Sequence, residues 1–190
     1  MPNAKFKELI LHVAKRSETD PRFGMVKLNK ILFSADFEQY YRHQRSITDA
    51  EYQHQPQGPT ARAMVPVVEE LKSLGEAAVD LVDHHGKKQK RLIAKREPNL
   101  DLVPADELAL VNWFIDTYWQ MNASEISEFS HQRFAGWRAT SDGETIPYGT
   151  IFVDEQPPDE DLAKFGITPE SLAAGEKAIQ EGHYQDRETP

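Results

Sequence analysis

KLNKILFSADFEQYY, residues 27–41, decides the fold, because its spacing is helical and it carries one residue at odds with its surroundings. At about 100° per residue, Leu28, Ile31, Leu32 and Ala35 fall on one stripe, and Phe33, Phe37 and Tyr40 on a second. Asn29 and Asp36 lie between the stripes. Lys27, Lys30, Ser34 and Glu38 make the expected solvent strip. The helix is therefore expected to be buried on two sides, with Asp36 inside the buried arc.

A carboxylate taken out of water without partners costs several kcal/mol or becomes protonated. Asn29, two turns earlier, could serve it, as could Tyr52, Arg62, His131 or backbone N–H groups near Gly58-Pro59. Two roles compete for Asp36. It could tie the helix to the Gly58-Pro59 turn, or act as a catalytic base or metal ligand. A catalytic carboxylate needs a second group matched in charge or pKa, and a metal needs several ligands at recognisable spacing. The chain supplies neither set, so the expectation is a structural latch on the Gly58-Pro59 turn, with no catalytic residue, metal site or cofactor. A small hydrolase using Asp36 and His131 is the enzymatic alternative.

Outward from this helix the pattern is mainly helical. Phe6, Leu9, Ile10 and Val13 mark one face of a first helix. A short strand is expected around residues 47–53, and a further helix through Met64, Val67, Val68, Leu71 and Leu74, with Gly75 as its stop. Pro66 places the start of that helix near Val65, because proline is tolerated only in the first turn. Alternation at Ala77, Val79 and Leu81, resuming at Leu92 and Ala94, predicts a β-hairpin. Leu108, Val111, Phe114, Ile115 and Tyr118 predict another helix, Asn122 or Ser124 can cap a short one, and Thr168-Pro169 opens the last. The fold class is thus mainly α (α+β), a helical domain with a small β-hairpin or sheet element and a C-terminal helical appendage.

Composition narrows the functions. Hydrophobic residues make up 39% and charged residues 28% of the 190, as in a folded soluble domain. No run reaches the ~18 apolar residues of a membrane span, and the charged N-terminus does not suit a signal peptide. A cytoplasmic location without membrane contact is the expectation. The absence of cysteine excludes disulfides, thiolate zinc sites and cysteine nucleophiles. A net charge of −9 repels phosphate backbones, so nucleic acid is not an expected partner. The basic run GKKQKR is short, and lysines there blunt a strand edge. His84-His85 would point to opposite faces of a strand, and His43 and His54 have no evident partners, so all four read as ordinary histidines.

One ordered combination goes further: KLNKILFSADF, then QPQGPTARAMVPVVEELKSLG with its Gly-Pro turn, then the hairpin, then SEISEFSHQRFAGW. Together these resemble the Panacea domain, also called SocA-like, of bacterial and phage antitoxins, over about residues 24–137. The motif positions are Lys27, Leu28, Lys30, Leu32, Ala35, Asp36, Gly58, Pro59, His131 and Trp137. Gln57 and Thr60 depart from the aromatic and apolar residues that often flank the family's Gly-Pro. The resemblance implies a non-enzymatic antitoxin that neutralises a cognate, co-encoded protein toxin by direct binding. Some relatives look instead like adaptors that deliver the toxin to a protease.

Residues 1–150 would be the family domain and 151–190 an acidic extension with one helix. DEQPPDED is the expected linker. Interfaces favour aromatic anchors, which makes Phe134, Tyr148, Phe152, Phe165 and Tyr184 candidate toxin contacts. Phe134 and Trp137 could equally fill the core.

Overall fold

The computed structural model describes residues 4–84, 87–153 and 168–180. At its centre lies α2 (Met25–His43), touched by both neighbouring helical layers and by strand segments on its remaining side. Both apolar stripes are buried, as the spacing requires: Leu28, Ile31, Leu32 and Ala35 on one side, Phe33 and Phe37 on the other. α1 (Ala4–Arg16) packs across it through Phe6, Leu9, Ile10 and Val13.

The expected solvent strip of α2 is a correction. Lys27, Lys30 and Ser34 are all buried, and only Glu38 keeps some exposure, its side chain 16% accessible and paired with Arg42 at 2.8 Å. Each buried polar head meets a partner from distant chain. Lys27 Nζ reaches Asp20 at 2.6 Å and the Trp119 carbonyl at 3.0 Å. Ser34 shares a hydrogen bond of 2.8 Å with the Tyr118 hydroxyl. Lys30 Nζ donates to the Pro59 carbonyl at 3.3 Å. Polarity had marked a wet edge, and tertiary pairing turned it into a third buried face.

β1 (Tyr52–Gln53) and β2 (Thr60–Ala61) form an antiparallel pair around the Gly58 turn. The strand starts later than expected, because residues 46–49 are folded into a turn. Asp49 there holds φ +54, and its carboxylate and the Ser46 hydroxyl bond one another at 3.0 Å. α3 (Met64–Ser73) carries Pro66 in its first turn and ends at Gly75, whose φ of +73 lets the chain reverse. β3 (Ala77–His84) and β4 (Lys87–Ala94) make the expected hairpin, with Ala77 opposite Ala94. Its root is buried at Ala77 and Leu92, and its outer half projects. His85 and Gly86 lie outside the described residues.

A short 3-10 helix (Leu100–Leu102) leads into α4 (Ala105–Thr117), which crosses α2 and α1. α5 (Ala123–Arg133) begins at a full capping box: Asn122 Oδ1 accepts from the N–H of Glu125 at 3.1 Å, and Glu125 accepts from the N–H of Asn122 at 2.7 Å. α6 (Ala135–Arg138) and a 3-10 helix (Tyr148–Val153) follow. α7 (Pro169–Gln180) opens where Thr168-Pro169 predicts, with Thr168 Oγ1 accepting from the Ser171 N–H at 3.2 Å. It lies on α4 so closely that a Cβ at Gly175 would collide with Trp113. The architecture is mainly α with two small antiparallel sheets among the described residues. No described helix is long and apolar enough to cross a membrane.

Candidate functional site

Asp36 is 0% exposed and receives four hydrogen bonds. The N–H groups of Ile47 and Thr48 donate to Oδ1, each at 2.9 Å. Oδ2 takes the hydroxyls of Tyr52, at 2.7 Å, and of Thr48. Burial pushes the carboxyl up to about 6, and the Thr48, Tyr52 and backbone donors oppose that shift. Burial and the nearby Asp36 charge raise Tyr52 and Tyr148 as well, so both keep their protons at neutral pH.

The latch is real, but its partner is the 47–48 turn and not Gly58-Pro59. Two residues of non-helical backbone aim successive N–H groups at one oxygen, a geometry the Gly-Pro turn cannot copy because Pro59 has no N–H. Of the expected partners, Tyr52 is present. Asn29 instead donates to Met25 O at 2.9 Å, and Arg62 bonds Gly143 O at 2.7 Å. No hydrogen bond joins His131 to Asp36 among the described residues.

The Gly58-Pro59 turn is held by another motif residue. Lys30 is 2% exposed and its ammonium lies directly beneath the turn. Gly58 holds φ +94, and a Cβ there would strike both Lys30 Nζ and Ser130 Oγ. Glycine is required here twice over, by conformation and by contact. Burial, with no carboxylate paired to it among the described residues, lowers the Lys30 ammonium to about 7.

His131 and Trp137 form the neighbouring wall. Their rings stack at 3.7 Å and 5°, and His54 stacks on the same indole at 4.4 Å and 14°. The Trp137 N–H donates to Gln55 O at 3.2 Å, and His54 Nδ1 lies 2.9 Å from Trp137 O. His54, read as an ordinary histidine, is thus part of this wall. Burial, and next the Lys30 charge, lower the His131 pKa, which favours the neutral ring.

Of the candidate toxin contacts, Phe134 is buried between Phe33 and Phe37, at 4.6 and 6.1 Å. Tyr148 is partly buried, its hydroxyl on Ala50 O at 2.6 Å. From it a run of rings reaches solvent: Phe37 to Tyr148 at 4.7 Å, Tyr148 to Tyr40 at 5.3 Å, Tyr40 to Phe152 at 6.0 Å and Phe152 to Tyr41 at 5.8 Å. Phe152 and Tyr41 end the run 51% and 50% exposed. Tyr41 escaped the sequence reading, although it lies one position from Tyr40 on the wetter side of α2. Phe165 and Tyr184 lie outside the described residues. Leu28, Leu32 and Ala35 are core, and Lys27 forms the buried pair with Asp20.

No group of three or more potential ligands capable of holding a metal ion occurs among the described residues. What the arrangement offers is a rigid frame, locked by Asp36 and Lys30, that carries exposed aromatic rings.

No curated protein and no solved structure matches the chain. A family model, "Antitoxin SocA-like, Panacea domain", matches residues 28–138, more than half of the chain and every expected motif position except Lys27. The chain therefore belongs to the SocA-like, Panacea-domain antitoxin family, and its role is related to toxin–antitoxin systems.

Proposed function

We propose that this chain is the antitoxin of a bacterial or phage pair and neutralises its cognate protein toxin by direct stoichiometric binding, without catalysis. The carrying observation is the aromatic run that ends in Tyr41 and Phe152, half-exposed rings in mutual contact at 5.8 Å. Rigid aromatic side chains with low conformational entropy are the usual anchors of a binding surface. Val153 beside them is exposed as well. The frame behind them supports the same reading: Asp36 has both oxygens engaged and no access to solvent, which suits a latch and not a general base.

The division into a neutralising domain, residues 1–150, and an acidic extension, residues 151–190, is part of the proposal. The acidic stretch DEQPPDED follows Val153 directly in sequence, and such composition suits ordering on a basic partner. Phe165 and Tyr184 would add anchors there.

Co-expression with the adjacent reading frame tests the reading. Rescue of growth, with toxin and antitoxin purifying as an intact complex, is the expected result, and Tyr41→Ala with Phe152→Ala should remove both. A harmless neighbour, or no complex, overturns it. Rescue that depends on a housekeeping protease and shortens the toxin's half-life would make the chain a proteolytic adaptor instead.

A further inference from the structure

The β-hairpin has two edges, and they are finished differently. Along β4, Lys88 and Lys90 are exposed, the usual guard of a strand edge against pairing with another chain. The side chains of Gln89 and Arg91 fold back onto the loop between α1 and α2, reaching Arg22 O at 2.9 Å and Ser17 O at 3.0 Å. β3 has no such guard. It reads AAVDLVDH, without lysine, arginine or proline, and beyond its buried root Leu81 is 63% and Val82 38% exposed.

Ladder geometry says which backbone groups this edge offers. The Lys95 N–H donates to Glu76 O at 2.8 Å just before the root, and the register continues from that pair with Ala77 opposite Ala94. Hydrogen-bonded positions alternate in an antiparallel pair. Ala78, Asp80 and Val82 therefore turn N–H and C=O toward β4, whereas Val79 and Leu81 turn theirs outward. Among the described residues no hydrogen bond reaches the Val79 or Leu81 backbone from that side.

Charge decides what can pair there. Arg91 stands opposite Asp80 in the register, but its guanidinium is taken by the Ser17 and Glu18 carbonyls, which leaves the exposed Asp80 carboxylate without that base. Two β3 edges joined to one another would bring the aspartates of both copies into one ladder with no lysine or arginine opposite them. A strand with basic side chains opposite Asp80 and Asp83, and apolar ones opposite Val79 and Leu81, meets no such penalty.

We infer that the outer edge of β3 takes up an extended, basic segment of a partner protein as a third, antiparallel strand of the hairpin sheet. The outward backbone groups of Val79 and Leu81 hold the segment, and Asp80 and Asp83 select its charge. The net charge of −9 favours the approach of such a partner. Neither Tyr41 nor Phe152 belongs to the hairpin, so the inference stands apart from the proposed toxin surface.

Amide hydrogen exchange of the full-length protein, read residue by residue by NMR, tests it. The probe is the blocked peptide Thr-Lys-Thr-Ile-Lys-Val-Thr, whose lysines fall opposite Asp83 and Asp80, and the control has glutamate in place of both lysines. The lysine peptide should slow exchange at Val79 and Leu81 saturably and leave Ala78, Asp80 and Val82 nearly unchanged. The glutamate peptide should bind at least about tenfold more weakly. Leu81→Pro removes an outward N–H and spares the β3–β4 ladder, so it should abolish binding. Asp80→Lys, an exposed change, should reverse the preference between the two peptides. Protection of Val79 and Leu81 that arises without peptide and grows with protein concentration would assign the edge to a second copy and overturn the inference. Absence of saturable protection, equal binding of the two peptides, or indifference to both substitutions would overturn it as well.

Discussion

The Tyr52 hydroxyl donates to Asp36 Oδ2 at 2.7 Å and so joins the central helix to the first strand, 16 residues further along the chain. With Ile47 and Thr48 it completes the set of donors around a fully buried carboxylate. Removing one donor leaves the acceptor short inside the core, which costs about 1–3 kcal/mol. Tyr52→Phe and Thr48→Val should each lower stability by that amount in urea denaturation. Asp36→Ala, which strands several donors at once, should cost more than either. A neutral Tyr52→Phe would show that the hydroxyl does not hold the latch.

The pH dependence of the latch has a definite sign. Folding raises the Asp36 pKa from 3.8 to about 6, chiefly by burial. The native state therefore binds more proton than the unfolded state between those values. Stability from this group is fully present below the unfolded pKa and is lost as pH rises through about 6. Relative to Asp36→Asn, which cannot titrate, the natural protein should lose roughly 3 kcal/mol between acid and neutral pH. Denaturation series of the two proteins measure this difference. A gap that instead widens in favour of the natural protein as pH rises would mean that the hydrogen bonds outweigh burial.

Helical period exposed α2 and both its apolar stripes, because burial of Leu28, Ile31, Phe33 and Phe37 leaves a 3.6-residue signature. Turn and cap chemistry exposed Gly75, Asn122 and Thr168-Pro169 for a similar reason: each acts on its own neighbours. The fate of Lys27, Lys30 and Ser34 was not legible. Their partners are Asp20, Pro59 and Tyr118, and a wheel drawn from one helix cannot see them. Asp36 was legible as a buried group with Tyr52 among its candidates, but not as a latch on Ile47 and Thr48. The SITD stretch, residues 46–49, was the available signal, since Ser, Thr and Asp there mark a side-chain-stabilised turn. The wall made by His54, Trp137 and His131 exists only in three dimensions.

Gly58 and Lys30 should prove energetically coupled. Gly58→Ala forces a Cβ onto Lys30 Nζ and Ser130 Oγ at a backbone φ of +94, so it should destabilise by about 2 kcal/mol or more. Shortening the lysine removes one of the two clashes and leaves the conformational strain. In a double-mutant cycle Gly58→Ala should therefore cost less on a Lys30→Ala background, with a coupling of about 0.5–3 kcal/mol. Strict additivity would place the lysine elsewhere than under the turn.

Two buried lysines on one helix should respond oppositely to the same substitution. Lys27 is paired with Asp20 at 2.6 Å, both side chains nearly inaccessible, and Asp20 also accepts from the Arg22 N–H at 2.8 Å. Lys27→Met strands that carboxylate, and breaking a buried pair from one side costs about 3–5 kcal/mol. Lys30, less than one turn further, strands no charge when it is replaced, because its partner is a carbonyl. Its folded pKa is lowered from 10.5 to about 7 by burial, so the native state binds less proton than the unfolded state between those values. Its contribution to stability is therefore least favourable below about pH 7 and improves as pH rises toward the unfolded value. Lys30→Met should match or exceed the natural protein in stability at mildly acid pH, and lose that advantage in alkali. Thermal or urea unfolding of the two variants at acid and alkaline pH measures the contrast. Equal losses for both would mean that Lys30 has an acceptor stronger than the Pro59 carbonyl.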